Sequence, residues 1–318
     1  VLAEVEDGRL IAIHSDSEDR VSEGFICEVA QRSPAVLDSA QRVRTPLKRE
    51  GDKLVPATWE EAVRDISSRL QTARKRGEAR SVGLYLGDAM FRSDQGLIRA
   101  LAAAAALGTT SVFSELSEGA GPRLGATEGV VGHPALLLPD IGRAHYVLVL
   151  GGDEPDLGWG ARVGGRAHGA WLTHSRKTKS AKLVVAGPRA TPFAKGADQH
   201  LGIRPGSETF LMLGMLAAIV RGEWHDAQFV RDYTEDWDEL VAMMSPWTVD
   251  RCAAACGIDA AMLSGVALKF ARAAMAVVVA GDGAFAGAHG GVGAWAWLTL
   301  HTVTANTLRP GGLYDHEG

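Results

Sequence analysis

The apolar positions of the chain change their spacing in a regular order. After Thr58, the residues Ala62, Val63, Ile66, Leu70 and Ala73 recur three and four apart, the stripe of an amphipathic helix. Thr58 with Glu61 supplies the capping box that starts it. Val82-Gly83-Leu84-Tyr85-Leu86-Gly87 then reads as a buried strand, and 95–107 as an alanine-rich helix stopped by Gly108. Three further runs, 146–150, 182–186 and 276–280, are short and rich in Val and Leu, as strands of a buried parallel sheet are. Between them, 207–220 is too apolar for a one-faced helix and is expected to be buried on most sides. Asp259 is placed to cap a helix with the stripe Met262, Leu263, Val266 and Phe270. A last helix is expected over 294–308. Strand–helix alternation predicts an α/β fold of Rossmann-like parallel-sheet lobes, preceded by a small β-rich segment. The expected divisions are 1–50, a first and partial α/β lobe at 51–115, and a dinucleotide-binding lobe at 116–318.

Loops at the strand ends carry the candidate chemistry, because doubly wound sheets bind ligands beyond the carboxyl ends of their strands. The first strand runs into Gly151-Gly152-Asp153-Glu154-Pro155 and the second into Gly187-Pro188-Arg189-Ala190-Thr191. The third runs into Gly281-Asp282-Gly283, a turn where no side chain would intrude on a ligand. Arg204-Pro205-Gly206-Ser207-Glu208 precedes the most apolar helix. Its backbone amides suit a phosphate or a base, although Ser207 and Glu208 are equally residues that cap a helix. Arg189 suits a phosphate or an ordinary strand-end ion pair. Together these loops predict a nucleotide-type ligand.

Charge and cysteine usage narrow the classes. A net charge of −5 and a pI near 6.1 exclude a broad nucleic-acid-binding surface. Three cysteines make no disulfide framework and fit a reducing compartment, so a cytoplasmic location is expected. Val1 is not an initiator methionine, which leaves an export signal compatible with the sequence. The longest apolar run, 210–220, is too short to span a bilayer, so no direct membrane span is expected.

The order of the loops resembles the molybdopterin-guanine-dinucleotide oxidoreductases, the family of formate dehydrogenases, nitrate reductases and dimethyl sulfoxide reductase. That family shows a strand ending Gly-x-Asn-Pro, a second ending Asp-Pro-Arg-x-Thr, then Ala-Asp and Arg-Pro-Gly-Thr-Asp. The matching segments here are Gly152-Asp153-Glu154-Pro155, Gly187-Pro188-Arg189-Ala190-Thr191, Ala197-Asp198 and Arg204-Pro205-Gly206-Ser207-Glu208. The N-terminal third agrees through Val5-Glu6-Asp7-Gly8-Arg9, Phe25-Ile26-Cys27, Arg44-Thr45-Pro46-Leu47 and Thr58-Trp59-Glu60-Glu61-Ala62. The resemblance covers nearly the whole chain. Because Pro310-Gly311-Gly312-Leu313 resembles a mid-chain family segment, the sequence is expected to be part of a longer protein or a truncated relative.

This resemblance implies a bis-molybdopterin guanine dinucleotide carrying molybdenum or tungsten, a small-molecule substrate and electron-transfer partner subunits. It implies cofactor contacts from Gly152, Asp153, Pro155, Pro188, Arg189, Thr191, Arg204, Pro205, Gly206, Glu208, Gly281 and Gly283. Glu208 would accept both the N1–H and N2–H₂ donors of guanine, one methylene longer than the family's aspartate. Ser117 falls near the family's protein ligand to the metal, with Glu115 and Glu118 beside it; an ordinary loop serine is the competing reading. Cys27 matches the last cysteine of the family's iron–sulfur motif, but a [4Fe–4S] cluster needs four thiolates and none is expected here. Cys252 and Cys256 are four apart and are better read as buried small residues than as ligands. The histidines form no close metal pair, and Trp159, Trp171, Trp295 and Trp297 suit either a cavity wall or the core.

Three departures pull the other way: Asp153 replaces an asparagine, Gly187 replaces the aspartate that holds a guanosine ribose, and Val29 replaces a lysine. They favour a second hypothesis, a cofactor-free structural subunit of a redox complex on the same fold, as in respiratory complex I. A third is a redox-inactive subunit of a hydrolase complex.

Overall fold

The computed structural model describes residues 1–18, 24, 26, 28–77, 81–87, 90, 93–114, 120–151 and 176–314. The chain divides into two compact units, Val1–Asp16 with Ile26–Ser117, and Ser17–Phe25 with Glu118–Gly318.

In the first unit, β1 (Leu2–Glu6) and β2 (Arg9–His14) form an antiparallel hairpin. Asp7 and Gly8 at its turn both take positive φ, 48° and 75°, which matches the twist of the flanking strands. Short helices α1 (Glu28–Gln31) and α2 (Ser33–Leu37) precede a second hairpin, β3 (Leu47–Glu50) with β4 (Lys53–Pro56). Helix α3 (Trp59–Lys75) begins with the expected capping box: the Thr58 hydroxyl accepts the Glu61 N–H at 3.2 Å, and the Glu61 carboxylate accepts the Thr58 N–H at 2.9 Å. β5 (Leu84–Leu86), α4 (Asp94–Leu107) and β6 (Val112–Ser114) follow, with β5 and β6 parallel. Gly108 ends α4 at φ 75°.

The expected burial of this unit is only half met. Ala62, Leu70 and Ala73 are partly covered, but Val63 and Ile66 are exposed. Tyr85, in the strand expected to be buried, faces solvent opposite Phe113. With two strands, one face of the sheet has no covering layer among the described residues.

In the second unit, α5 (Gly121–Val131) and β7 (Leu138–Pro139) lead into the sheet. Its parallel strands are β8 (Tyr146–Leu150), β9 (Lys182–Ala186), β10 (Gln199–Leu201) and β11 (Ala276–Ala280), in the order β10-β9-β8-β11. Three of these coincide with the strands expected from sequence. Numbered within the sheet the order is 3-2-1-4, the doubly wound arrangement, with its reversal between β8 and β11. Helices α6 (Pro192–Lys195), α7 (Glu208–Arg221), α8 (Ala227–Tyr233), α9 (Trp237–Met244), α10 (Val249–Cys256), α11 (Ala260–Arg272) and α12 (Gly290–Val303) complete the layers, and β12 (Leu313–Tyr314) pairs antiparallel with β7.

The centre is α7, whose buried residues run from Glu208 to Ile219 with only Phe210 partly open. It packs against α10, α11 and α12. Asp259 caps α11 as expected, accepting the N–H groups of Ala261 and Met262. The buried stripe of α11 is Leu263, Val266, Ala267 and Phe270; Met262 lies outside it and is exposed. The last helix stops at Val303, earlier than expected, because Ala305 and Leu308 turn at positive φ.

The free edge of β11 is closed by side chains. Asn306 Oδ1 accepts the Ala276 N–H at 3.0 Å, His301 Nε2 accepts the Val278 N–H at 3.0 Å, and the Trp297 indole N–H donates to the Val278 carbonyl at 2.9 Å. A bare edge would offer these groups to other strands. Among the described residues no single helix is long and apolar enough to cross a membrane.

Candidate dinucleotide site

At the carboxyl ends of the strands, glycine does two different things. Gly151 follows β8 with φ 71°, and a Cβ there would lie 2.5 Å from the Ala284 nitrogen. A Cβ on Gly283 would lie 2.9 Å from the Gly151 carbonyl oxygen. Here the missing side chains let the loops after β8 and β11 meet backbone to backbone, so the room Gly283 leaves is taken by Gly151. Gly281 donates its N–H to Leu150 at 2.8 Å. Gly187 and Gly206 differ: a Cβ on either would meet nothing within 4 Å among the described residues. Gly206 also takes φ 78°, a conformation that favours glycine. These two positions present open backbone.

Glu208 stands at the head of α7 and is buried, at 8% exposure. Burial pushes its carboxyl above the usual range, while hydrogen bonds from its own amide and that of Gly206 pull the other way. A carboxylate has about four acceptor positions, so these bonds leave capacity for two further donors. Ser207 does not cap α7; its hydroxyl donates back to the Arg204 carbonyl.

Other motif residues have partners inside the protein. The Arg204 amide donates to the Cys256 carbonyl and its Nη1 to the Ala254 carbonyl, both at 2.8 Å. This places a guanidinium on the carboxyl end of α10, where the helix dipole favours a cation. The Thr191 hydroxyl accepts the Ala194 N–H at 3.2 Å and caps α6. Pro188, Arg189 and Pro205 are exposed beside the open glycines. Asp198 lies toward the amino end of β9, where it accepts the Leu183 N–H at 2.9 Å. That bond, ahead of Lys182 and Arg176, holds its carboxyl below the usual range.

Two residues passed over in the sequence reading lie at the ligand end of the sheet. His200 on β10 hydrogen-bonds through Nε2 to the Gly187 carbonyl at 3.0 Å. Arg123 on α5 is buried, donates to the Ala280 carbonyl at 2.8 Å and lies 5.0 Å from the centre of the Phe285 ring. Neither stood out in sequence, because each gains its meaning from a strand distant along the chain.

Gly152, Asp153, Pro155, Ser117, Cys27, Trp159 and Trp171 lie outside the described residues. Among the described residues no group of three His, Cys, Asp or Glu side chains is placed to hold a metal. Cys252 and Cys256 are fully buried, and burial pushes both thiols up to about 11, as befits packing residues. Trp297 is likewise buried in the core.

Residues 42–316 match the family model described as molybdopterin oxidoreductase. The chain belongs to the molybdopterin oxidoreductase family. It is 28% identical over 309 residues to the menaquinone reductase molybdopterin-binding-like subunit of Nitratidesulfovibrio vulgaris, covering 96% of this chain and 42% of that protein. It is 25% identical over 313 residues to the F420-dependent formate dehydrogenase subunit alpha of Methanocaldococcus jannaschii, covering 96% and 44%. Acetylene hydratase from Pelobacter acetylenicus shares the fold, with a TM-score of 0.74 at 22% identity over 99% of this chain and 42% of that one. The chain thus spans less than half the length of these relatives. Membership implies a molybdopterin cofactor with molybdenum or tungsten.

Proposed function

We propose that this chain forms part of a molybdenum or tungsten oxidoreductase and holds a bis-molybdopterin guanine dinucleotide at the carboxyl end of the β8–β11 sheet. The observation that carries the reading is the buried Glu208 carboxyl at the head of α7, flanked by the open backbone of Gly206. Glu208 binds the N1–H and N2–H₂ edge of guanine, and the exposed guanidinium of Arg189 meets phosphate. Pro188, Pro205 and the Gly281 turn flank the dinucleotide; Gly152, Asp153, Pro155 and Ser117, assigned by the resemblance alone, lie outside the described residues. Thr191, Arg204 and Gly283 act behind this surface, fixing α6, the 204–208 loop and the Gly151 contact. When bound, the metal cofactor supplies the redox chemistry, and the protein supplies binding, orientation and electrostatics. A small-molecule substrate and electron-transfer subunits complete the system.

A cofactor-free structural subunit is the second reading. It is favoured by the name of the N. vulgaris relative, a molybdopterin-binding-like subunit, and by the substitutions at Asp153, Gly187 and Val29.

The variant Glu208→Ala, made in the complete protein, tests the contact on which the first reading rests. Loss of a charged bidentate contact of about 1.5–3 kcal/mol predicts guanine content reduced roughly 10- to 100-fold under exchange conditions, with the circular-dichroism melt retained. Unchanged guanine content in a folded variant would remove Glu208 from the site.

A further inference from the structure

We infer that His200 binds the ribose hydroxyls of the nucleotide at this site, in place of a carboxylate that the chain lacks. The inference rests on the dinucleotide reading above and adds to it the group that recognises the sugar. In doubly wound sheets that bind NAD-type dinucleotides, the strand beside the first is followed by an acidic side chain that accepts from ribose. Here that strand is β9, the residue after it is Gly187, and Pro188-Arg189-Ala190-Thr191 offers no carboxylate. Space is not the obstacle, since a Cβ on Gly187 would meet nothing within 4 Å.

The neighbouring strand supplies a substitute. β10 pairs in parallel with β9, His200 opposite Val185, and the Gly187 amide donates to the Leu201 carbonyl at 3.0 Å. This register carries the imidazole to the Gly187 carbonyl, 3.0 Å from Nε2. A carbonyl oxygen only accepts, so Nε2 carries the hydrogen, and in the neutral ring Nδ1 is the acceptor. Nδ1 is not among the buried atoms lacking a partner, and among the described residues nothing bonds to it. The imidazole is thus held beside Gly187, where the carboxylate is missing, with Nδ1 as its remaining acceptor. The loop that follows the same strand carries Glu208, so base and sugar are read from one strand and its loop. The ligand class is a guanine ribonucleotide with free hydroxyls.

The test is calorimetric titration of the cofactor-free full-length protein with GDP, 2′,3′-dideoxy-GDP and ADP. The parent is expected to prefer GDP over dideoxy-GDP about tenfold, the value of one good hydrogen bond. His200→Phe should bind both guanine nucleotides alike, at the weaker level. Adding Gly187→Asp to that variant should restore the preference, and His200→Gln should retain part of it. A folded His200→Phe protein that still prefers GDP overturns the assignment, as does a parent that prefers GDP over ADP but ignores the hydroxyls. No preference for GDP over ADP would overturn the guanine site itself, and the role of His200 with it.

Discussion

Gly214 illustrates how single residues are set by neighbours remote in sequence. Glycine inside a helix costs about 1 kcal/mol relative to alanine, yet it occupies the middle of α7. A Cβ there would lie 2.7 Å from the Cys252 Cβ and 2.8 Å from a Leu263 methyl. Gly214→Ala is therefore predicted to destabilise the protein by roughly 1–3 kcal/mol through overpacking, despite its better helix propensity. Urea denaturation measures this, and a stabilised variant would contradict the packing account. The same dependence limited what could be read of the site. Glu208 stood out in sequence through the family resemblance of the 204–208 loop, which the residues alone left equally open to helix capping. The duties of Arg204 and Thr191 did not, because a guanidinium or hydroxyl shows its partner only once α10 and α6 are in place. His200 was hidden for a related reason: its partner Gly187 is joined to it by the parallel pairing of β9 and β10.

At the scale of elements, the β8, β9 and β11 strands were legible because buried parallel strands are continuous apolar runs. Helix starts were legible where a side chain caps its own helix, as at Thr58 and Asp259. Burial was less so: the α3 stripe has the helical period but leaves Val63 and Ile66 exposed, and Met262 sits one position off the buried face of α11. The seal on the edge of β11 was invisible in sequence and has a pH signature. His301 is fully buried, and desolvation lowers its pKa from 6.5 to about 4, opposed by its hydrogen bond to the Trp297 carbonyl. Its Nε2 accepts the Val278 N–H, so it must remain neutral in the fold. Below pH 6.5 the unfolded chain binds a proton that the folded chain refuses. Stability is accordingly lost as pH falls from about 6.5 to about 4, by roughly 3 kcal/mol in all. His301→Gln is predicted to be less stable at neutral pH and to show a flatter dependence across that window. An unchanged slope would assign the acid sensitivity elsewhere.

Across the whole molecule, the two units differ in how much they bury. Among the described residues of the first, the buried apolar side chains are Leu86 and Ala104, while Trp59, Val63, Ile66, Tyr85, Ile98 and Phe113 are exposed. The second holds a continuous core through the sheet, α7 and α10 to α12. The α/β class could be read from period alone, and family from the order of the strand-end loops, since both are local along the chain. Activity could not, because chemistry carried by a cofactor leaves no signature in the spacing of apolar residues or the order of loops. The most direct test is composition of the complete protein purified from a host that makes the cofactor, by elemental analysis for molybdenum and tungsten and by acid release of GMP. The proposed function predicts near-stoichiometric metal with about two guanine nucleotides per metal, the cofactor then carrying the chemistry. Protein free of both metal and guanine would contradict it and establish the structural-subunit reading.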